Sequence, residues 1–321
     1  MILVVALNPA LDVTHHVAGA DWGGVNRPVA VHARAGGKGL NVARTLRALG
    51  QEVTLTGLAG GRTGEALVDG LARTGITAQL TPIAGETRRT FVVADSVNER
   101  TALFSEPGPA VSAAEYERFF VAYEKALASS AAVVLSGSLP PGVPDDAYAA
   151  MVTAAAGAGV RAVLDASGAA LAHGAAAGPA VVKPNLAELE AATGQALRTS
   201  GGTDIPDLLA IEHAARALAG PGTSVVVSLG PAGLLAVGPD GTWHARPPGH
   251  VPGNPTGAGD AVVAGLADSL VRGQDWPATL RHAAALGSAT AAAPVAGSFG
   301  WADYERLVTT VQVIGAGQER G

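Results

Sequence analysis

Short apolar runs alternate along this chain with longer segments of helical spacing. The runs at 2–7 (ILVVAL), 52–59 (EVTLTGLA), 131–138 (AAVVLSGS), 160–167 (VRAVLDAS), 179–185 (PAVVKPN) and 224–230 (SVVVSLG) predict strands. Several are apolar almost throughout, as strands covered on both faces should be. Between them GLNVARTLRALG (39–50), SAAEYERFFVAYEKALAS (112–129), PDDAYAAMVTAAAGAG (144–159) and DLLAIEHAARALAG (207–220) space their apolar residues as helices do. The alternation predicts an α/β fold, a doubly wound and mostly parallel sheet with helices on both faces. Ligands in such folds sit beyond the carboxyl ends of the strands.

Two segments interrupt the alternation. Residues 13–35 and 87–104 are extended and rich in turns, and in the second FVVAD and TALF flank SVNER, which suggests a hairpin. Two such excursions would form a small sheet over one edge of the main domain; surface decoration is the alternative. No internal repeat or low-complexity linker is visible.

Composition narrows the function more than the fold. Hydrophobic residues make up 48% and charged residues 15% of the 321, a soluble globular balance rather than a disordered one. The formal net charge is −6 and no basic run occurs, which argues against a nucleic-acid binder. Without Cys there are no disulfides, no thiolate catalysis and no Cys-based metal site. The opening MILVVALNPALD reads as a first buried strand rather than a signal peptide. No stretch offers about 20 strongly apolar residues without Pro, Gly or Ser breaks. The expectation is a cytoplasmic protein with no membrane partner.

Polar stretches fall where strands or loops give way to helices. In NPTGAGDAVVAGL (254–266), two glycines precede Asp260 and an apolar helix begins. The first turn of that helix has amides with no intrahelical partner and carries the positive end of the dipole, so it suits an anion. Helix capping is the simpler role for the Asp. GGKGLN (36–41) opens another helix, with Lys38 adding a charge, but it lacks the spacing of a Walker A loop. A plain glycine-rich turn explains it when taken alone. In KPNLAELE (183–190), Asn185 and Glu188 are three apart, a spacing that fits a capping box or a pair aimed at a magnesium-bound phosphate. VVVSLGPAGLLAV (225–237) reads as a hairpin. NPALD (8–12) places Asp12 just after the first strand, in a turn or near sugar hydroxyls. His15 and His16 are adjacent in an extended segment and point to opposite faces, which disfavours a shared metal. Together, two anion-ready helix starts, a candidate metal face and a well-placed Asp suit phosphoryl transfer, which depends mostly on positioning and charge stabilisation.

In that order NPALD, GGKGLNVAR, LSGSLPPGVP, KPNLAELE, VSLGPAG and GAGD resemble the ribokinase-like (PfkB) carbohydrate kinases over nearly the whole chain. Lys38 within GGKGLN, with NPALD and SGSLPPGV, is similar to the hexose-phosphate branch of 1-phosphofructokinases and tagatose-6-phosphate kinases. Thr90 stands where that branch commonly carries Asn, and EPGP (106–109) and NPTGAGD are closer to the tagatose-6-phosphate kinase wording. The resemblance implies ATP as donor, Mg2+ and a phosphosugar acceptor. By the same analogy Asp260 is the catalytic base, ionised at neutral pH, and Gly257, Ala258 and Gly259 form the anion hole for the γ-phosphoryl. Asn185 and Glu188 would organise magnesium through its waters, with Lys183 opening that motif. Ser228, Gly230 and Gly233 would lie near the nucleotide, and Asp12, Gly37, Lys38, Asn41 and Arg88 on the acceptor side. Segments 1–12, 36–86 and 105–321 then form the kinase core. Segments 13–35 and 87–104 form a β lid that often also makes a homodimer contact.

Overall fold

A computed structural model describes residues 1–98, 100–197, 207–220, 222–249, 256–293 and 297–315. The strand at the N-terminus shows how the sequence builds the core. In β1 (Ile2–Ala6), Ile2, Val4 and Ala6 face one hydrophobic cluster, while Leu3, Val5 and the following Leu7 face another. A strand apolar at every position can only sit between two layers.

Around it lies a ten-stranded sheet. Seven parallel strands run, in spatial order, β5 (Thr77–Pro82), β4 (Val53–Ala59), β1, β8 (Ala132–Ser136), β9 (Arg161–Asp165), β10 (Val181–Val182) and β11 (Ser224–Ser228). Three antiparallel strands extend the edge: β12 (Leu234–Gly238), β13 (Gly241–Arg246) and β14 (Gln312–Gly315). This is the expected mixed α/β sheet, with an antiparallel margin that begins at the hairpin read in 225–237.

One face carries α1 (Lys38–Ala48), α8 (Ala258–Arg272), α9 (Trp276–Ala292) and α10 (Trp301–Thr310), whose apolar residues join the first cluster. The other face carries α3 (Ala113–Leu127), α4 (Ala147–Gly157) and α5 (Gly168–Ala176). Helices α6 (Leu186–Thr193) and α7 (Leu208–Leu218) share a third cluster with β11 and β12, and α2 (Gly61–Ala72) follows β4. Helices α8 and α9 pack closely because Gly265 leaves room for Ala283; a Cβ at Gly265 would lie 2.8 Å from the Ala283 Cα. The alanine- and glycine-rich composition serves that approach. No helix among the described residues is long and apolar enough to cross a membrane.

A second, four-stranded sheet runs β3 (Ala30–Gly36), β2 (Ala10–Val17), β6 (Arg88–Asp95), β7 (Arg100–Ser105). The hairpin read around SVNER is present as β6 and β7. The central pair, β2 with β6, is parallel, so the two chain excursions interlock rather than stand as separate hairpins. This sheet starts at Ala10, earlier than residue 13, because β1 ends at Ala6 and Ala10, just after Pro9, already pairs with Gly36 and Arg88. Asp12 therefore lies within β2, opposite Arg34 and Thr90, and not in a turn. His15 and His16 meet different neighbours, Phe91 and His32. Asp95 fixes the far end of the sheet: its carboxylate accepts from the Asn98 side chain and from the Gly19, Ala20, Val97 and Asn98 backbone amides. The Asn98 side chain, then the Ala20, Asn98 and Val97 amides, hold its pKa well below the usual range.

Candidate active site

The parallel strands deliver their C-terminal ends to one side, and the polar residues gather there. Helix α8 opens at Gly257, whose φ of 86° is left-handed and suits glycine. Among the described residues no side chain caps its first turn. The amides of Ala258, Gly259 and Asp260 precede the first intrahelical bond, made by Ala261 to Gly257. Asp260 sits in that turn, 7% exposed, and accepts a 2.9 Å hydrogen bond from Asn41 Nδ2. Asn41 comes from α1, which begins just after Gly37 (φ 96°).

Asp260 is not the freely ionised carboxylate that its helix position suggests. Burial, then the negative charge of Asp165, push its pKa up to about 7; the Asn41 hydrogen bond, Lys38 and Lys183 only partly offset this. The helix dipole favours an anion, but loss of solvent outweighs it.

Asp165 is the residue that the sequence reading missed. It ends β9 at 1% exposure and holds two lysines, one on each oxygen: Lys183 Nζ lies 3.2 Å from Oδ1 and Lys38 Nζ 3.6 Å from Oδ2. Ser136 Oγ adds a 3.3 Å hydrogen bond to Oδ2. Burial raises the Asp165 carboxyl, yet the two lysines and Ser136 prevail and hold it below the usual range. The Lys183 ammonium, itself 4% exposed, also approaches the α8 start: a Cβ at Gly259 would be 4.0 Å from it. Lys38 Nζ is 3.7 Å from Glu188 Oε1. Burial lowers the Lys38 pKa, but Asp165, Glu188 and Asp260 together raise it above its ordinary value.

Asn185 and Glu188 form a capping box at the start of α6. Asn185 Oδ1 accepts from the Glu188 amide at 2.9 Å, and Glu188 Oε2 accepts from the Asn185 amide at 2.8 Å. The plain reading of that motif is thus realised, and Glu188 still turns its other oxygen toward Lys38. Asn185 is the N-cap residue rather than part of the helix body, and it bridges to Ser228 at the end of β11.

Two clefts flank this cluster. The first, about 190 Å³, is lined by Asn8, Gly37, Lys38, Arg88, the Ser136–Ser138 loop and Ser167. Arg88 reaches across it, donating to the Asn8 and Glu106 carbonyls and to Ser105 Oγ. Asp12 stands behind Gly36, where a Cβ would lie 1.8 Å from its Oδ2, and burial raises its pKa despite Arg34, Thr90, Arg44 and Arg88. The second cleft, about 360 Å³ and mainly apolar, is lined by Asn185, Ser228, Gly230, Gly233, Ala258, Gly259 and α9 residues. Gly233 (φ 93°) closes its edge; a Cβ there would meet the Ala245 carbonyl at 1.9 Å. The buried Asp165–Lys183 pair links the two: Asp165 holds Lys38 of the first cleft, and Lys183 approaches Gly259 of the second. Asn254 and Pro255, read as part of the α8 motif, lie outside the described residues.

Residues 6–300 match the pfkB family carbohydrate kinases. The chain belongs to that family. Its fold is shared with Escherichia coli phosphofructokinase-2 in complex with potassium, at 29% identity and TM-score 0.86, over 96% of this chain and 98% of that one. The same E. coli protein in complex with fructose-6-phosphate gives 29% identity and TM-score 0.83, with coverage of 96% and 98%. A possible 1-phosphofructokinase from Thermotoga maritima matches at 26% identity and TM-score 0.85, over 98% of this chain and 99% of that one. In this PfkB chain SGS, KPN and VSLG stand at the carboxyl ends of parallel strands, GGKG and GAGD open α1 and α8, and NPALD leads from β1 into the second sheet.

Proposed function

We propose that the chain catalyses ATP-dependent phosphorylation of a ketohexose monophosphate, with fructose 1-phosphate, giving fructose 1,6-bisphosphate, as the first acceptor to test. The observation that carries this reading is the glycine-led start of α8, which lines the apolar cleft at Ala258 and Gly259 and carries a buried Asp hydrogen-bonded to α1, the helix that opens at Lys38 in the polar cleft. The apolar cleft beside Ser228, Gly230 and Gly233 suits the nucleotide. The polar cleft between Lys38 and Arg88 suits the phosphosugar, with Asp12 and Asn41 on the same side. Nucleophile and phosphorus then meet at Asp260.

The chain's own groups do the following. The amides of Gly257, Ala258 and Gly259 bind the transferred phosphoryl oxygens, where a helix N-terminus is worth most in a water-poor site. Asp260 accepts the proton of the acceptor hydroxyl as the new O–P bond forms, and a pKa of about 7 is well matched to that task. Lys183, almost fully buried, adds positive charge behind Gly259.

The donor set also fits magnesium. That ion keeps several waters and uses one or two carboxylates along with phosphates. Glu188 Oε1 is not used by the capping box and meets Lys38 Nζ only at 3.7 Å, and Asp165 Oδ1, buried, has no hydrogen-bond partner among the described residues beyond the Lys183 ion pair. Glu188 would hold the hydrated ion, with Asn185 fixing the Glu188 amide. Magnesium, when bound, supplies charge neutralisation on the phosphates.

A second reading, fructose 6-phosphate as acceptor, draws support from the E. coli relative solved with that sugar; tagatose 6-phosphate belongs to the same comparison. The four-stranded sheet leaves Val31 and Phe104, which its register puts on one face, more than half exposed. An apolar face of this kind fits a second copy of the chain docked lid to lid. An ADP-release assay over free and phosphorylated hexoses tests the function. Turnover confined to ketohexose monophosphates supports it; turnover only with unphosphorylated sugars or nucleosides, or none at all, refutes it.

A further inference from the structure

We propose that Lys38 is a catalytic residue acting on the phosphoryl group in transit, and not the anchor for the acceptor's own phosphate. This rests on the kinase reading above and gives one residue of that site a different task. The sequence alone favours the anchor role, because a cation at a helix start beside a sugar cleft has an obvious partner in a phosphosugar.

The geometry favours the other end of the acceptor. Lys38 is the first residue of α1, and its ammonium is turned toward Asp165 (3.6 Å) and Glu188 (3.7 Å). Both distances exceed a good hydrogen bond, so the pairs hold the ammonium in place without saturating its three donors. The side chain is 43% exposed and lines the acceptor cleft. Lys183, which occupies the other Asp165 oxygen, is almost fully buried. Of the two lysines on Asp165, Lys38 is the one open to a ligand.

Chemistry supplies the second half of the argument. When a ketohexose monophosphate becomes a 1,6-bisphosphate, the existing phosphate and the reacting hydroxyl lie at opposite ends of the sugar. The reacting hydroxyl must lie at Asp260. A cation held on Asp165 and Glu188, in the same turn of α1 as Asn41, which donates to Asp260, is therefore at the reacting end, and Arg88 lines the same cleft. In the transfer, the bond from the γ-phosphorus to the oxygen bridging it to the β-phosphate breaks, and its electron pair stays on ADP. A new bond forms from phosphorus to the acceptor oxygen, whose proton passes to Asp260. Lys38 donates to an equatorial oxygen of the moving group, where a positioned donor acts on the rate more than on acceptor binding.

The test compares wild type with Lys38→Met, and with Lys38→Gln as a second variant, after confirming that melting temperatures match. Turnover is measured with the best phosphosugar, and acceptor binding by calorimetry without nucleotide or metal. The inference predicts a fall in kcat of about 10²–10³-fold, the range for one transition-state donor. The acceptor Kd should stay within about threefold of wild type, a difference well under the 1.4 kcal/mol that a tenfold change represents. Lys38→Arg should recover part of the rate. The acid limb of the kcat profile should move to higher pH in Lys38→Met, because Lys38 helps keep Asp260 ionised. A tenfold or greater loss of acceptor affinity, or an unchanged kcat, overturns it. If wild type turns over no ketohexose monophosphate, the functional reading fails and this inference falls with it. If wild type turns over and Lys38→Met loses acceptor affinity, only the inference fails.

Discussion

Asn41 Nδ2 donates a 2.9 Å hydrogen bond to Asp260 Oδ2, tying the first turn of α1 to the first turn of α8. The two helices that frame the acceptor and phosphoryl positions thus share a polar link at the proton-accepting carboxylate. The bond favours the ionised Asp260. Asn41→Ala should therefore raise the Asp260 pKa further and shift the acid limb of kcat/KM to higher pH. A pH profile superimposable on wild type would show that the bond does not tune the carboxylate.

Asp260 sets the pH dependence in the free enzyme. A base must be unprotonated, so kcat/KM should fall as pH drops through about 7 and level off above it. Stability runs the other way. The folded pKa lies above the ordinary carboxyl value of 3.8, so the folded state binds more protons between these limits and loses stability as pH rises through them. Asp260→Asn should remove that loss, and its melting temperature at pH 8 should equal or exceed wild type. A clearly lower melting temperature would contradict the burial cost assigned to this group.

Glu188→Gln separates the two roles of its side chain. Glutamine also completes a capping box, so α6 and overall stability should change little. The negative charge beside Lys38 disappears, and the magnesium concentration for half-maximal turnover should rise severalfold. An unchanged magnesium titration would confine Glu188 to capping.

Gly233→Ala addresses the nucleotide cleft. The backbone there is left-handed, and the new methyl would meet the Ala245 carbonyl, so β12 and β13 must part. Left-handed strain alone costs about 1–2 kcal/mol. The melting temperature should drop and the KM for ATP should rise more than the KM for the acceptor. A neutral effect on both would detach Gly233 from that cleft.

The helical and strand periods made most of the α/β core readable, and β1 shows why: alternate residues supply different clusters, so every position had to be apolar. The glycines before Asp260 and the Asn185–Glu188 spacing were legible because backbone freedom and capping are local. What failed to show was long-range. Asp165 passed as the end of an apolar strand, although a single carboxylate at a strand's carboxyl end in a parallel sheet is itself a signal. Asp12 looked like a turn residue because its partners Arg34 and Thr90 come from two other strands. The ionisation of Asp260 depends on burial and on Asp165, and neither is visible in GAGD. Full ionisation at neutral pH was expected from the helix start alone, whereas burial beside Asp165 pushes the pKa up to about 7.

The central claim is that phosphoryl transfer happens at the start of α8 with Asp260 as proton acceptor. ADP release by wild type and Asp260→Asn at saturating ATP, magnesium and phosphosugar tests it most directly. The account predicts a loss in kcat of about 10²–10⁴-fold, the range for a positioned acid–base group, with acceptor binding preserved. Turnover by Asp260→Asn within a few fold of wild type would contradict it.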